Sequence, residues 1–155
     1  APTDEEITRM LDVARYAPTA GNSQGMYYIV IRDREQIRAI ADAVADWMED
    51  EVAAGTENKR YFQVVLRAYR ERGQDIIARN APCLIFALAR RLNITGVSNA
   101  EQSWAYAELF APTIGWYNNC RLYPILRHCR LSAAAGFDCG AAEAQNCRHT
   151  DGWLS

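Results

Sequence analysis

Apolar residues at helical spacing mark the first element of the chain. Four of them recur at i, i+3, i+4 and i+7, namely Ile7, Met10, Leu11 and Ala14. Thr3 and Glu6 stand just before this run, three residues apart, which is the spacing of a capping box at a helix N-terminus. Pro18 disfavours helical backbone at the residue before it. The pattern therefore predicts an amphipathic helix that begins after Thr3 and ends before Pro18.

Two short apolar runs predict strands. Residues 27–31 (YYIVI) are continuously apolar, β-branched and aromatic, and residues 83–89 (CLIFALA) form a second run directly after Pro82. Runs of this length without polar alternation are typical of strands that are covered on both faces. We therefore expect two buried strands.

Three further segments have helical patterns. The first follows Asp33, a residue favoured at helix N-caps, and breaks near Gly55; its apolar face consists of Ile37, Ile40, Ala41, Val44, Trp47 and Met48. Residues 59–71 form an arginine-rich candidate. The last helix is expected after Ser98, whose spacing to Glu101 repeats that of a capping box. Strands that alternate with helices indicate an α/β or α+β fold.

The pattern changes after Gly115. Residues 116–155 sustain neither a helical nor a strand period, and they contain both histidines and four of the five cysteines: His128, His149, Cys120, Cys129, Cys139 and Cys147. Thiolates and imidazoles are zinc ligands, but these cysteines form no C-x-x-C pair, so the signal for a tetrahedral zinc site is weak. A metal-binding tail stays open as an alternative.

Composition excludes several classes of protein. The chain has 155 residues, of which 50% are hydrophobic and 23% charged, and this excludes a disordered, collagenous or coiled-coil chain. The net charge of −2 mixes both signs, which is unlike the basic footprint of a nucleic-acid-binding protein. We find no apolar run of about 20 residues and no secretory pattern, so we expect no membrane span. An odd cysteine count without an export signal favours a reducing compartment.

The segment APTAGNSQ, residues 17–24, is the strongest candidate for chemistry, and we call it the 17–24 loop. It lies between the first predicted helix and the first predicted strand. Its hydroxyl and amide side chains could bind a polar heterocycle. The same residues are also typical of a helix stop followed by a turn. Composition alone leaves both interpretations open.

Several motifs in order resemble the FMN-dependent nitroreductase family. They are ARYAPTAGNSQ, the strand YYIVI, DREQI with a helix ending near DWM, RNAPCLIFALA and SNAEQSWAYAELFAPTIG. The resemblance as a whole runs from about residue 3 to residue 115. The resemblance implies an α+β sandwich, with a central and mainly antiparallel sheet flanked by helices. It also implies an interlocked homodimer with FMN at the interface. By the same resemblance Thr19, Ala20, Asn22 and Gln24 are cofactor contacts, Asn22 and Gln24 foremost.

The resemblance implies a function as well. In the family, a nicotinamide donor, NAD(P)H, reduces the flavin, and a small nitroaromatic, quinone or related acceptor then reoxidises it in the same pocket. The protein orients the ring and tunes it by hydrogen bonds, so we nominate no catalytic acid or base. We expect a cytoplasmic enzyme with no nucleic-acid or membrane partner. A non-enzymatic α/β module that binds a ligand or a protein is the alternative.

Two departures from the family pattern lead us to expect a fold that is incomplete at both ends. No Arg-Ser-x-Arg-like segment precedes the first helix, where the family holds the FMN phosphate. After Gly115 the glycine-rich segment and the basic strand of the family are absent. We therefore assign residues 1–115 to a partial nitroreductase-like domain and residues 116–155 to an atypical tail, and we expect impaired FMN binding and weak turnover.

The genetic code offers an explanation of the tail. When the possible codons are read one base later, Trp116 followed by Tyr117 forces glycine. The pairs Glu143–Ala144 and Gln145–Asn146 each force lysine or arginine, and Trp153 forces glycine again. These forced positions give a basic-x-basic strand followed by glycine, as the family has there. We interpret residues 116–155 as a family C-terminus translated in a shifted frame.

Overall fold

The computed structural model describes residues 1–89 and 94–116. The described part contains four helices and two strands, which are α1 (Asp4–Ala14), β1 (Met26–Ile31), α2 (Arg34–Ala54), α3 (Lys59–Leu66), β2 (Leu84–Ala89) and α4 (Gly96–Phe110). β1 and β2 pair as a two-stranded antiparallel sheet. This content confirms the α+β class. The predicted tail, residues 116–155, lies outside the described residues except for Trp116.

Local signals explain how α1 begins and ends. The Thr3 hydroxyl accepts a hydrogen bond from the backbone N–H of Glu6, and the Glu6 carboxylate accepts from the backbone N–H of Thr3 at 2.8 Å, so the predicted capping box is present. These hydrogen bonds hold the pKa of Glu6 below its ordinary value. The helix ends at Ala14, four residues before Pro18.

The contacts between residues divide the described chain into two compact units. The first unit contains α1, α4 and nearly all of the sheet, within residues 1–30, 85–89 and 94–116. Its core is formed by four buried residues, Met10, Ala14, Ala107 and Ala111. Half-buried side chains pack around that core, Tyr28 and Trp104 among them. Because alanines occupy most of the contact, α1 and α4 pack closely against each other.

The second unit, residues 31–84, is built on α2 and α3. Asp33 caps α2 by accepting from the N–H of Gln36 at 2.8 Å, and Gly55 ends the helix with a φ of 77°. The predicted apolar face of α2 is buried, apart from the half-buried Trp47, whose ring meets that of Phe62 edge-on at 5.3 Å. The side chains of this face pack against α3.

Three details differ from the sequence predictions. The segment predicted as one helix over residues 59–71 is an α-helix to Leu66 and a π-helical turn over Arg67–Glu71. The last helix begins at Gly96 rather than after Ser98, because the bond from the N–H of Asn99 to the Thr95 carbonyl already forms its first turn. β1 is half-buried along most of its length, since it pairs with one strand in the described part of the chain.

None of the helices in residues 1–89 and 94–116 has both the length and the apolar character needed to span a membrane.

Candidate functional site

The 17–24 loop adopts a backbone that only part of its sequence favours. Gly21 has a φ of 60°, which glycine adopts without penalty, but Asn22 and Gln24 also have positive φ values, 53° and 43°. Asparagine tolerates this left-handed region better than other side chains, whereas glutamine pays a steric penalty. Strained positions of this kind cost about 1–3 kcal/mol each and persist where surrounding contacts impose them. The loop is therefore held by interactions from elsewhere.

Asn99 on α4 supplies the main restraint on the loop. Its side chain is 2% exposed, and its Oδ1 atom accepts a hydrogen bond from the backbone N–H of Ala20 at 3.0 Å. Its Nδ2 atom donates to the Ser23 hydroxyl at 3.2 Å and to the Thr95 hydroxyl at 3.3 Å. A buried amide whose donor and acceptor are both satisfied fixes the positions of its partners. Asn99 therefore ties two residues of the loop to α4.

Thr19 closes the loop from within. Its hydroxyl accepts a hydrogen bond from the backbone N–H of Gln24 at 3.0 Å, across five positions. The backbone of the loop adds bonds from the N–H of Asn22 to the Thr19 carbonyl and from the N–H of Ser23 to the Ala20 carbonyl, at 2.9 and 3.2 Å. With its backbone engaged internally, the loop leaves the Asn22 and Gln24 side chains exposed. These two amides are the groups that the loop offers to a ligand.

A cleft of about 330 Å³ lies beside the loop, inside the first unit. Nine residues line it: Ala14, Arg15, Tyr16, Ala17, Thr19, Gln24, Met26, Tyr28 and Ser103. The lining combines apolar, aromatic and neutral polar side chains with the guanidinium of Arg15. The volume of the cleft lies at the lower end of the range of about 300–1,000 Å³ that is common for small-molecule pockets.

Two hydroxyl groups form a directed chain on the wall of the cleft. The Ser103 hydroxyl donates to the carbonyl of Ala14 at 3.4 Å, and a carbonyl can only accept. Tyr28 therefore donates its proton to Ser103, and its oxygen keeps lone pairs that can accept from a ligand. Burial raises the pKa of Tyr28 above its ordinary value. The Tyr28 hydroxyl thus stays neutral at physiological pH.

The structure distributes the four predicted contacts unequally. Thr19 and Gln24 lie on the wall of the cleft. Ala20 and Asn22 are exposed on the loop outside the cleft lining, and the Ala20 N–H is already engaged with Asn99. The role of all four residues as cofactor contacts stays a prediction.

The sequence analysis missed Asn99, Ser103 and Tyr28 as parts of the site. A signal for two of them was present, because residues 99, 103, 107 and 111 recur every four positions on one helix face. The first two are polar and the others are alanine, and all four are buried. A polar residue within a buried stripe needs a partner, so Asn99 and Ser103 could have been marked from the sequence.

Among the described residues, no group of three or more His, Cys, Asp or Glu side chains is placed to hold a metal ion. The histidines and cysteines considered for a metal-binding tail all lie outside the described residues. Cys83 is a free thiol, and burial raises its pKa while the charge of Arg32 opposes the rise.

The sequence of the chain is similar to known proteins. A sequence model of the Nitroreductase family matches residues 1–114. A protein of Archaeoglobus fulgidus, provisionally described as an NADH dehydrogenase/NAD(P)H nitroreductase, is 44% identical over 41 residues, which is 26% of this chain and 24% of the relative. The chain thus matches about a quarter of that relative's length.

Comparison of structures gives a second relative. The crystal structure of a BluB-like flavoprotein from Clostridium difficile 630 superposes with a TM-score of 0.64 at 18% identity. The match covers 90% of this chain and 76% of that protein. At this identity the likeness concerns the fold.

Proposed function

Because the chain belongs to the nitroreductase family, we propose that it is a flavin-dependent oxidoreductase. In this proposal FMN is the cofactor, NAD(P)H the electron donor, and a small nitroaromatic, quinone or related compound the acceptor. The observation that carries the proposal is the 17–24 loop, whose backbone is held in positive φ by the buried Asn99 beside a cleft. Strain of this kind is typical of ligand-binding segments. The description of the Clostridium difficile protein as a flavoprotein supports a flavin as the cofactor.

The chemistry of the cleft suits a flavin ring. An isoalloxazine is flat and apolar on its faces and carries neutral hydrogen-bonding groups along one edge. Met26 and Ala17 supply apolar wall, while the Gln24 amide and the Thr19 hydroxyl supply neutral donors and acceptors. Gln24 and Thr19 would therefore hold the polar edge, and the apolar residues would exclude water from the faces. When bound, the flavin supplies the redox chemistry, and the protein supplies binding and orientation.

Asn99 has a positioning role in this proposal. It lies behind the loop rather than in the cleft, and it fixes the backbone from which Asn22 and Gln24 project. Preorganised polar groups bind a ligand without the entropic penalty of ordering a loop. Loss of this restraint would weaken binding without removing any group that touches the ligand.

We extend the proposal to a homodimer in the cytoplasm. Tyr106 and Leu109 stand three positions apart on one face of α4, and they are 38% and 78% exposed. Exposed apolar side chains of this kind favour burial against a second copy. We expect Leu109→Glu to shift the sedimentation of the protein towards monomer at micromolar concentration. Gln63→Glu adds the same charge at an exposed polar position on α3, and as the matched control it should leave the sedimentation unchanged. The odd cysteine count supports a reducing compartment.

Absorbance spectroscopy tests the cofactor. Titration of the full chain with FMN up to millimolar concentration should perturb the visible flavin spectrum, and NAD(P)H with a quinone should then be consumed slowly, in keeping with the weak turnover expected from the sequence. Gln24→Ala should weaken FMN binding about fivefold, as expected for the loss of a net hydrogen bond of about 1 kcal/mol. Gln63→Ala, which truncates an exposed glutamine on α3, is the control and should have no effect. A flavin spectrum that stays unperturbed at millimolar FMN would favour the non-enzymatic binding module instead.

A further inference from the structure

Arg15 and Tyr16 form a paired feature at the edge of the cleft. The Arg15 guanidinium lies over the Tyr16 ring, with its central carbon 5.2 Å from the ring centroid, and its Nη2 atom donates to the Tyr16 hydroxyl at 3.3 Å. Both residues line the cleft, and Tyr16 is 70% exposed. A large aromatic ring that is held by a cation and left open beside a cleft is a platform for another flat ring.

The charge at this edge is positive and only partly neutralised. Arg15 is the one charged side chain among the described residues that line the cleft. Asp12 approaches its Nε atom at 3.5 Å, but both side chains are more than half exposed, so solvent screens this pair. A guanidinium carries five N–H donors, and the contacts to Asp12 and Tyr16 engage two of its nitrogens. Arg15 therefore keeps the capacity to bind an anionic group.

We propose that the cleft binds a planar aromatic carboxylate, with its ring on Tyr16 and its carboxylate on Arg15. The inference rests on the proposed function, since it identifies anionic aromatic compounds as the preferred class of electron acceptor. Arginine is suited to carboxylates, because its planar fork matches their two oxygens. Tyr16 selects flat rings over saturated ones, and Arg15 selects anions over neutral rings.

The phosphate of the cofactor could present the same anionic chemistry to Arg15. The fold favours the carboxylate, because the cleft lies at the C-terminal end of α1, whose last carbonyls carry partial negative charge. That charge, together with Asp12, disfavours a phosphate dianion more than a singly charged carboxylate. The experiment therefore separates the two sources.

Nuclear magnetic resonance titration of the full chain with three small probes tests the inference without turnover. Benzoate is flat and anionic, benzyl alcohol is flat and neutral, and cyclohexanecarboxylate is anionic but saturated. We expect benzoate to bind about tenfold more tightly than either of the others, as for one charge-assisted hydrogen bond or one ring contact at a partly exposed site. Equal binding of all three probes would overturn the inference.

Four variants assign the two preferences to their residues. Arg15→Gln should abolish the preference for benzoate over benzyl alcohol, whereas Asp12→Asn should strengthen benzoate binding because it removes the competing carboxylate. Tyr16→Leu should abolish the preference for benzoate over cyclohexanecarboxylate. Arg9→Gln removes an equal charge from α1 at an exposed position outside the cleft lining, and it should leave the binding of all three probes unchanged. If Arg9→Gln weakens benzoate binding as much as Arg15→Gln, the effect is one of net charge and the site is refuted.

A comparison of FMN with riboflavin, which lacks the phosphate, completes the design. If Arg15→Gln lowers the affinity for FMN relative to riboflavin and leaves benzoate binding intact, Arg15 serves the cofactor phosphate and the inference is overturned. If FMN does not bind but the benzoate pattern follows the four variants, the proposed function fails and the aromatic-carboxylate site stands. The two proposals can therefore fail separately.

Discussion

Replacing Asn99 with alanine removes the side chain that joins α4 to the 17–24 loop. The variant loses the acceptor for the Ala20 N–H at 3.0 Å and the donors to the Ser23 and Thr95 hydroxyls at 3.2 and 3.3 Å. Each bond contributes about 0.5–1.5 kcal/mol net. The Ser23 hydroxyl and the Ala20 N–H lie on exposed residues and can bind water instead, which recovers part of the loss. We therefore expect a loss of about 2 kcal/mol, concentrated in the loop.

Hydrogen exchange measures this loss where it occurs. Without Asn99, the strained backbone at Asn22 and Gln24 is free to relax, so the loop should open more often. A change of about 2 kcal/mol corresponds to about 30-fold faster exchange of the Ala20 amide. The Ser23 and Gln24 amides, which are bonded inside the loop, should accelerate with it. FMN affinity should fall in parallel.

A matched variant separates loosening of the loop from general destabilisation. Ala100→Gly alters the neighbouring buried residue of α4, and it costs about 1 kcal/mol in helix propensity without touching a loop contact. Both variants should lower the free energy of unfolding, but only Asn99→Ala should accelerate the loop amides relative to the core of α4. If the Ala20 amide exchanges equally fast in both variants, Asn99 does not position the loop and our reasoning is wrong.

Three further predictions concern stability and titration. Met48→Ala should lower the free energy of unfolding in urea by about 2–5 kcal/mol, because Met48 is 1% exposed in the core of the second unit; a loss below this range would mean that the core collapses around the gap. Thr3→Ala should cost about 1 kcal/mol at neutral pH. Because hydrogen bonds from Thr3 lower the pKa of Glu6, the stabilisation from these bonds is present above the ordinary glutamate pKa and is lost as the pH falls through the lowered value. Thr3→Ala removes only the hydroxyl contacts, so its cost should shrink in acid, while the part due to the bond from the Glu6 N–H to the Thr3 hydroxyl remains. Tyr69 should be deprotonated only at a pKa of about 12, because it is partly buried and donates to Asp42 at 2.9 Å. Absorbance titration should show one tyrosine that is deprotonated near this pH, and this transition should be absent from Tyr69→Phe. The stability that depends on Tyr69 should be lost as the pH rises from the ordinary tyrosine pKa to about 12.

The local features of the fold could be predicted from the sequence. A capping box joins two residues three positions apart, an N-cap Asp reaches one turn into its helix, and a run such as YYIVI contains its own strand preference. For the same reason the 17–24 loop could be placed between α1 and β1, since Pro18 and Gly21 act on their neighbours. The family resemblance then provided the four candidate contacts, which no local pattern would have singled out.

The tertiary structure decided which distant residues hold that loop. Asn99 bonds to Ala20 and Ser23 across 79 and 76 positions, and Tyr28 meets Ser103 across 75. The four-residue period of α4 indicates that Asn99 and Ser103 face inward, but not what they meet. The half-buried state of β1 was decided in the same way, because it depends on which elements cover the strand. Local propensity depends on residues within about one helical turn, whereas the partner of a buried polar atom depends on which surfaces the chain brings together in packing.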